Sequence, residues 1–235
     1  MQKYEQSKKF FDNYIDDYAR EIMAIQPMFY KNAAIFLNKA LTGSNTVLDV
    51  GNGGILNYNW QSIARLDCAD LSVSQSAIQR YEKFSNISLF QSDILGLNNI
   101  EDNTYDAVIV QAVLHHLAGE TINKTNKNVI TALESCMRVL KPDGKLLIVE
   151  STVLPFFEQM ERICYPLMQL FFKICNFGAV FQYSTPSLIK LIQYLDYNIV
   201  YSRAIALDKY TWIMKKKIPT IILPCLAVGI EISKG

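Results

Sequence analysis

The sequence is short of charge. Lys, Arg, Asp and Glu make up 19% of its 235 residues, and the two signs nearly cancel, 23 against 22. A protein held to nucleic acid mainly by phosphate contacts needs a basic surplus, so that class is disfavoured. The small net charge beside 50% apolar residues argues against a disordered chain. The five cysteines (Cys68, Cys136, Cys164, Cys175 and Cys225) are odd in number and scattered. No C-x-x-C pair occurs, so neither a disulfide frame nor a zinc site is expected, and a reducing compartment is. The N-terminus, MQKYEQSKKFFDNYIDDYAR, has acids where a signal peptide has an apolar stretch. The charge-free runs 174–189 and 218–230 both contain Pro and stop short of the ~20 apolar residues that span a bilayer. A cytoplasmic protein is expected, with peripheral membrane contact left open. No repeat or low-complexity tract occurs, and the length suits one domain.

What is present is a change of period along the chain. Residues 3–22 read as a helix with Phe10, Phe11, Tyr14, Ile15 and Tyr18 on one side. A second helix is predicted from about Met28 to Leu41. Short apolar runs then follow at 46–50, 64–71, 87–91, 107–111 and 145–150, separated by helical patterns of which 73–84 and 126–140 are the clearest. Strands alternating with helices imply a parallel sheet covered on both faces. Residues 153–192 interrupt the alternation with a long apolar helical segment, and 197–207 and 225–233 read as a terminal antiparallel pair. The expected division is N-terminal helices over 1–44, a core over 45–152, a helical cap over 153–195 and terminal strands over 196–235.

Ligands of such sheets sit outside the carboxyl ends of the strands. The first strand runs into Asp49-Val50-Gly51-Asn52-Gly53-Gly54-Ile55, where glycines let a backbone approach a ligand closely. The second ends at Asp70-Leu71-Ser72, with Asp70 21 residues beyond Asp49. An acceptor-only carboxylate there suits the two hydroxyls of a ribose, although a helix N-cap is the competing role. Asp67 sits mid-strand and points elsewhere in this reading. The third ends at Gln91-Ser92-Asp93-Ile94, where Asp93 is either a turn residue or an acceptor for an exocyclic amine. The fourth ends in Gln111-Ala112-Val113-Leu114-His115-His116, which holds both histidines of the chain. Arg138-Val139-Leu140-Lys141-Pro142-Asp143-Gly144 reads as a helix stop and a tight turn.

Together the glycine loop, Asp70, the SDI ending, YDAVIVQAVLHHL and RVLKPDGKLLIVE resemble the ordered motifs of class I S-adenosylmethionine-dependent methyltransferases. The resemblance is closest to the small-molecule group that includes ubiquinone/menaquinone-biosynthesis methyltransferases. It covers about 46–152, with a weaker echo in FFDNYIDDY. It implies an α/β, Rossmann-like doubly wound sheet, mostly parallel with an antiparallel last strand, plus N-terminal helices and a helical cap. It implies S-adenosylmethionine as cofactor and no metal. The loop from Asp49 through Gly51, Asn52, Gly53 and Gly54 is implied to line the methionine half. Asp70 and Leu71 are implied at the ribose, Ser92, Asp93 and Ile94 at the adenine, and Gln111 at the sulfonium. Tyr14 or Tyr18 is implied to close the site.

One departure stands out. The third glycine position of the family pattern is Ile55, and Leu56–Ile63, with Asn57, Tyr58, Asn59 and Trp60, makes a poor helix. The usual anchor for a carboxylate at a helix N-terminus is thereby weakened.

If the methyl acceptor is a hydroxyl or an acidic carbon, a base is needed, and His115 or His116 is the candidate. The apolar segment 153–183 reads either as a self-burying layer or as a lid over a hydrophobic quinone-, lipid- or polyketide-like acceptor. Residues 201–235 hold six Lys and Arg against two acids. That patch is either a solvated hairpin or a contact to an anionic membrane. The alternatives are a catalytically silent binding protein of the same fold, a protein or RNA methyltransferase, and a nicotinamide-dependent oxidoreductase.

Overall fold

The computed structural model describes residues 24–175, 178–213, 216–220 and 225–234. The predicted helix over 3–22, with Tyr14 and Tyr18, lies outside them. A first helix, α1 (Pro27–Ala40), opens on a proline, whose missing N–H costs nothing at that position. A seven-stranded sheet follows in the order β3-β2-β1-β4-β5-β9-β6. Its strands are β1 (Thr46–Val50), β2 (Arg65–Asp70), β3 (Ile87–Gln91), β4 (Tyr105–Gln111), β5 (Leu140–Val153), β6 (Asn198–Ala204) and β9 (Cys225–Ser233). The first five run parallel, and β9 is antiparallel to both β5 and β6. The expected doubly wound, Rossmann-like sheet with an antiparallel last strand is present. That last strand is inserted between β5 and β6.

Alternation along β4 divides the core. Ala107 and Ile109 face the layer of α1, with Phe29, Phe36 and Leu37. Val108 and Val110 face the opposite layer. That layer is built from α3 (Ile122–Val139) and α5 (Thr185–Tyr194), through Val129, Leu133, Leu188 and Ile192. The α3 helix starts where Thr121 accepts a bond from the Lys124 N–H. A Cβ on Gly229 would stand 3.0 Å from the Phe36 ring, so glycine in β9 lets α1 seat on the sheet.

Two boundaries differ from the sequence expectation. The predicted strand at 145–150 begins at Leu140, because Leu140 already pairs with Tyr105. The turn itself is held by Lys141, whose ammonium meets Asp106 at 2.8 Å and Thr46 Oγ1 at 3.1 Å. The segment between the two terminal strands forms a separate hairpin, β7 (Tyr210–Ile213) with β8 (Lys216–Pro219). Between β1 and β2 stands one short turn, Trp60–Ser62, in place of a helix. Trp60 packs edge-on against Phe84 at 4.8 Å and Tyr81 at 6.0 Å and closes the gap. Tyr81 belongs to α2 (Gln75–Tyr81). The segment expected as a cap, 153–195, opens with α4 (Pro155–Ile174), which leaves the carboxyl end of β5.

Candidate active site

Strand order reverses between β1 and β4, and a crevice opens there at the carboxyl ends. The open cleft, with the solvent space at its mouth included, spans about 900 Å³. Its glycine wall follows β1. Gly51, Gly53 and Gly54 all have positive φ, +74°, +59° and +76°, a region other residues enter only at a cost. Their surroundings differ. A Cβ on Gly51 would meet Val113 at 2.6 Å and one on Gly54 would meet Ala77 at 2.7 Å, whereas Gly53 faces open space. Gly51 and Gly53 line the cleft, and Gly54 packs the loop onto α2.

Beneath the loop, Asp49 is 1% exposed and accepts the Tyr58 hydroxyl at 2.7 Å. Burial pushes its carboxyl up to about 7, and the Tyr58 bond offsets only part of this. Asp70 reaches the cleft and holds the loop in place. Its oxygens accept from the Gly53 and Ser72 N–H groups, each at 3.0 Å. Burial raises its pKa despite these bonds. Leu71, Ser92 and Ile94 line the same wall. Asp93 is not part of that wall, and its carboxylate accepts the Leu95 N–H at 2.8 Å. Asp67 points elsewhere, to the Tyr105 hydroxyl at 2.7 Å.

The β4 side holds Gln111 and the two histidines. Gln111 lines the cleft with its Oε1 buried and without a hydrogen-bond partner. Ala112 follows at φ +54°, and left-handed non-glycine backbone of this kind concentrates at functional sites. His116 lines the cleft, and desolvation, aided by His115, holds its imidazole well below the usual range. The His115 ring lies 4.0 Å from it, tilted by 42°. Its Nδ1 lies 2.7 Å from Oε1 of Glu150, a residue 1% exposed. The other Glu150 oxygen accepts the Leu114 N–H at 2.8 Å.

The underside of α4 continues this network. Ser151 donates to Gln182 at 3.2 Å, and the Gln182 N–H reaches both Glu161 oxygens at 3.2 Å. Burial pushes the Glu161 carboxyl up to about 7. Glu158 binds the Arg162 guanidinium at 2.6 Å and the Ser184 hydroxyl at 2.5 Å.

The structure therefore brings Gly51, Asn52, Gly53, Asp70, Leu71, Ser92, Ile94, Gln111 and His116 to one cleft. Asp49, Gly54, Asp93 and His115 are not among the residues that line it. Sequence reasoning missed Tyr30 and Val113 in the lining, and Glu150. Only the last had a signal: an acid ending the strand beside β4. Among the described residues no group of three His, Cys, Asp or Glu side chains is placed to hold a metal.

Comparison with known proteins bears on this geometry. Residues 48–148 match the family model described as a methyltransferase domain. A highly reducing polyketide synthase of Aspergillus nomiae is 30% identical over 103 residues, 43% of this chain. One of Aspergillus sclerotiorum is 30% identical over 119 residues, 45% of this chain. The chain spans about 4% of the length of these curated relatives. Among solved structures, the 1,6-didemethyltoxoflavin-N1-methyltransferase of Burkholderia thailandensis, holding 1,6-didemethyltoxoflavin and S-adenosylhomocysteine, superposes with TM-score 0.67. It has 14% identity, over 98% of this chain and 88% of its own. The N-methyltransferase NodS of Bradyrhizobium japonicum, in complex with S-adenosylhomocysteine, gives 0.61 at 16% identity, over 95% of this chain and 100% of its own. At these identities the likeness is one of fold.

Proposed function

We propose, on the premise that residues 48–148 are a methyltransferase domain of the class I fold, that the chain methylates an O, N or C nucleophile of a small hydrophobic acceptor, with S-adenosylmethionine as donor. The cleft residues fit that group. Gln111 Oε1, buried and unpartnered, offers an acceptor dipole to a sulfonium or ammonium cation. Asp70 keeps lone pairs for two ribose hydroxyls after accepting from Gly53 and Ser72. The open space at Gly53 leaves room for the methionine half along the loop. Ser92 and Ile94 border the adenine.

When bound, S-adenosylmethionine supplies an electrophilic methyl group whose leaving group is a neutral thioether. The chain's own residues position the partners and manage the proton. Holding reacting atoms ~3–3.5 Å apart is worth up to ~7–11 kcal/mol. His115 is the base in this reading. With its Nδ1–H donated to Glu150, Nε2 is left as the acceptor that takes the proton from the nucleophile. Glu150 fixes the ring and stabilises the imidazolium that forms. His116, held neutral by burial, lines the wall. The underside of α4 keeps water from the pair. Val50, Val113 and Leu117 in the cleft lining support a hydrophobic acceptor, and the polyketide synthase relatives support a polyketide-like one over a quinone or a lipid.

The observation that carries this reading is the His115–Glu150 pair, 2.7 Å apart beside a glycine-walled cleft that also holds Asp70 and Gln111. Ile55, buried where the family pattern has glycine, favours a second reading, a silent binding protein. Calorimetry with S-adenosylhomocysteine and NAD, then S-adenosylhomocysteine release with phenols, quinols and β-ketoacyl thioesters as acceptors, separates the two. His115→Ala is expected to lower turnover ~10²–10⁴-fold with nucleoside affinity unchanged. Full turnover in that variant removes His115 from the chemistry. Binding without turnover on every acceptor favours the silent reading, and binding of NAD alone sinks both.

A further inference from the structure

The polarity of α4 is inverted. Its solvent side presents Phe156, Ile163, Leu167, Leu170 and Ile174, each 54% to 73% exposed, at helical spacing. Phe157, Met160 and Phe171 flank them, 44% to 46% exposed. From Leu154 to Cys175 the exposed polar side chains are Gln159 and Lys173 alone. The helix's other polar groups are turned inward: Glu158 and Gln169 are buried, and Glu161 and Arg162 belong to the network over His115. Scattered exposed apolar residues are ordinary, but a continuous stripe ~30 Å long marks a contact surface.

Charge identifies the occupant. Among the described residues from 154 to 220, the exposed charged side chains are Lys173, Lys190, Arg203, Lys209, Lys216 and Lys217 against one acid, Asp196. The other acids there are engaged: Glu158 with Arg162, Glu161 with Gln182, and Asp208 with the Met28 and Phe29 N–H groups that start α1. Topology brings these parts to one edge. Strand β6 runs parallel to β5 through β9, so the β7–β8 hairpin leaves the carboxyl edge of the sheet, as α4 does. Tyr210, 42% exposed with Lys217 4.6 Å over its ring, has the amphipathic character of a membrane-interface residue.

We propose that the outer face of α4 docks on an anionic lipid surface, its apolar stripe among the acyl chains and the Lys and Arg residues of the cap and hairpin against the headgroups. A two-fold pairing of α4 with a second copy would bury the same stripe but bring two cationic surfaces together, and anionic lipid neutralises them instead. The inference stands apart from methyl transfer, since it concerns the outside of the helix.

The test is co-sedimentation of the full chain with vesicles of phosphatidylcholine alone and with added phosphatidylglycerol. Binding to the mixed vesicles, falling at least about tenfold without the anionic lipid and weakening with salt, is expected. I163E/L167E alters exposed side chains only, and is expected to lose about tenfold or more of that binding at an unchanged melting temperature. K216Q/K217Q is expected to lose about fivefold for each lysine. Wild-type protein that stays in the supernatant overturns the proposal, as does full binding by I163E/L167E. A dimer that I163E/L167E breaks, with no vesicle binding, overturns it in favour of a second copy.

Discussion

Asp49 carries an unusual load for one residue. Its carboxyl is held up near 7 because burial outweighs the Tyr58 bond. Between its ordinary value and about 7, the native chain keeps a proton that the unfolded chain has lost. Its contribution is therefore fully present below the unfolded pKa and is lost as pH rises through this window, at up to ~1.4 kcal/mol per pH unit. It levels off above the native pKa. Asp49→Asn cannot ionise, and its amide oxygen still accepts the Tyr58 hydroxyl. Urea unfolding is expected to show the variant close to wild type at about pH 4 and increasingly more stable than wild type as pH rises to about 8. Glu161, also pushed up to about 7 by burial, keeps its own slope in that variant, so Glu161→Gln isolates the remainder. Parallel profiles for wild type and Asp49→Asn would assign the slope elsewhere.

At the scale of elements, the loop after β1 does two jobs with adjacent glycines, and substitution separates them. Gly54→Ala drives a Cβ to 2.7 Å from Ala77 at φ +76°, so backbone strain and overpacking add, and a loss of about 2–4 kcal/mol is expected by urea unfolding. Gly53→Ala meets no atom within 4 Å. It is expected to cost only about 1 kcal/mol, from the left-handed backbone, while its methyl group enters the cleft and weakens nucleoside binding in calorimetry. Ile55→Gly restores the family spacing but empties a buried site, 8% exposed. A loss of about 3 kcal/mol or more is expected.

Much of this scale was legible in the sequence. Short apolar runs located β1 to β4 because parallel strands covered on both faces carry few polar residues. Asn57, Tyr58 and Asn59 announced the missing helix. Periodicity locates a stripe and does not say which way it faces, so α4 read equally as a core layer or a lid, while its apolar side points outward. The His115–Glu150 bond spans 35 residues and exists only because β4 and β5 are neighbours. The placing of β9 between β5 and β6 likewise depends on which edge stays open, which no local window records.

Among the described residues, helical layers cover both faces of the seven-stranded sheet, with the cleft where the tips of β1, β2 and β4 and the loop after β3 converge. A nucleoside seated there ties those elements together, so its binding free energy should appear as stability of the entire domain. At a concentration about 100 times Kd the gain is ~2.7 kcal/mol, which for a domain of this size is a rise in Tm of about 5–10 °C. S-adenosylhomocysteine is expected to produce that shift in thermal unfolding. Asp70→Ala is expected to abolish it and also to lower the ligand-free Tm, because the Gly53 and Ser72 N–H groups lose their acceptor. Ser74→Ala provides the contrast. It removes the cap that accepts the Ala77 N–H at the start of α2, so it should lower the baseline by about 1 kcal/mol and leave the ligand shift intact. A shift with NAD and none with S-adenosylhomocysteine would transfer the cleft to a dinucleotide, and with it the roles of Gln111 and His115.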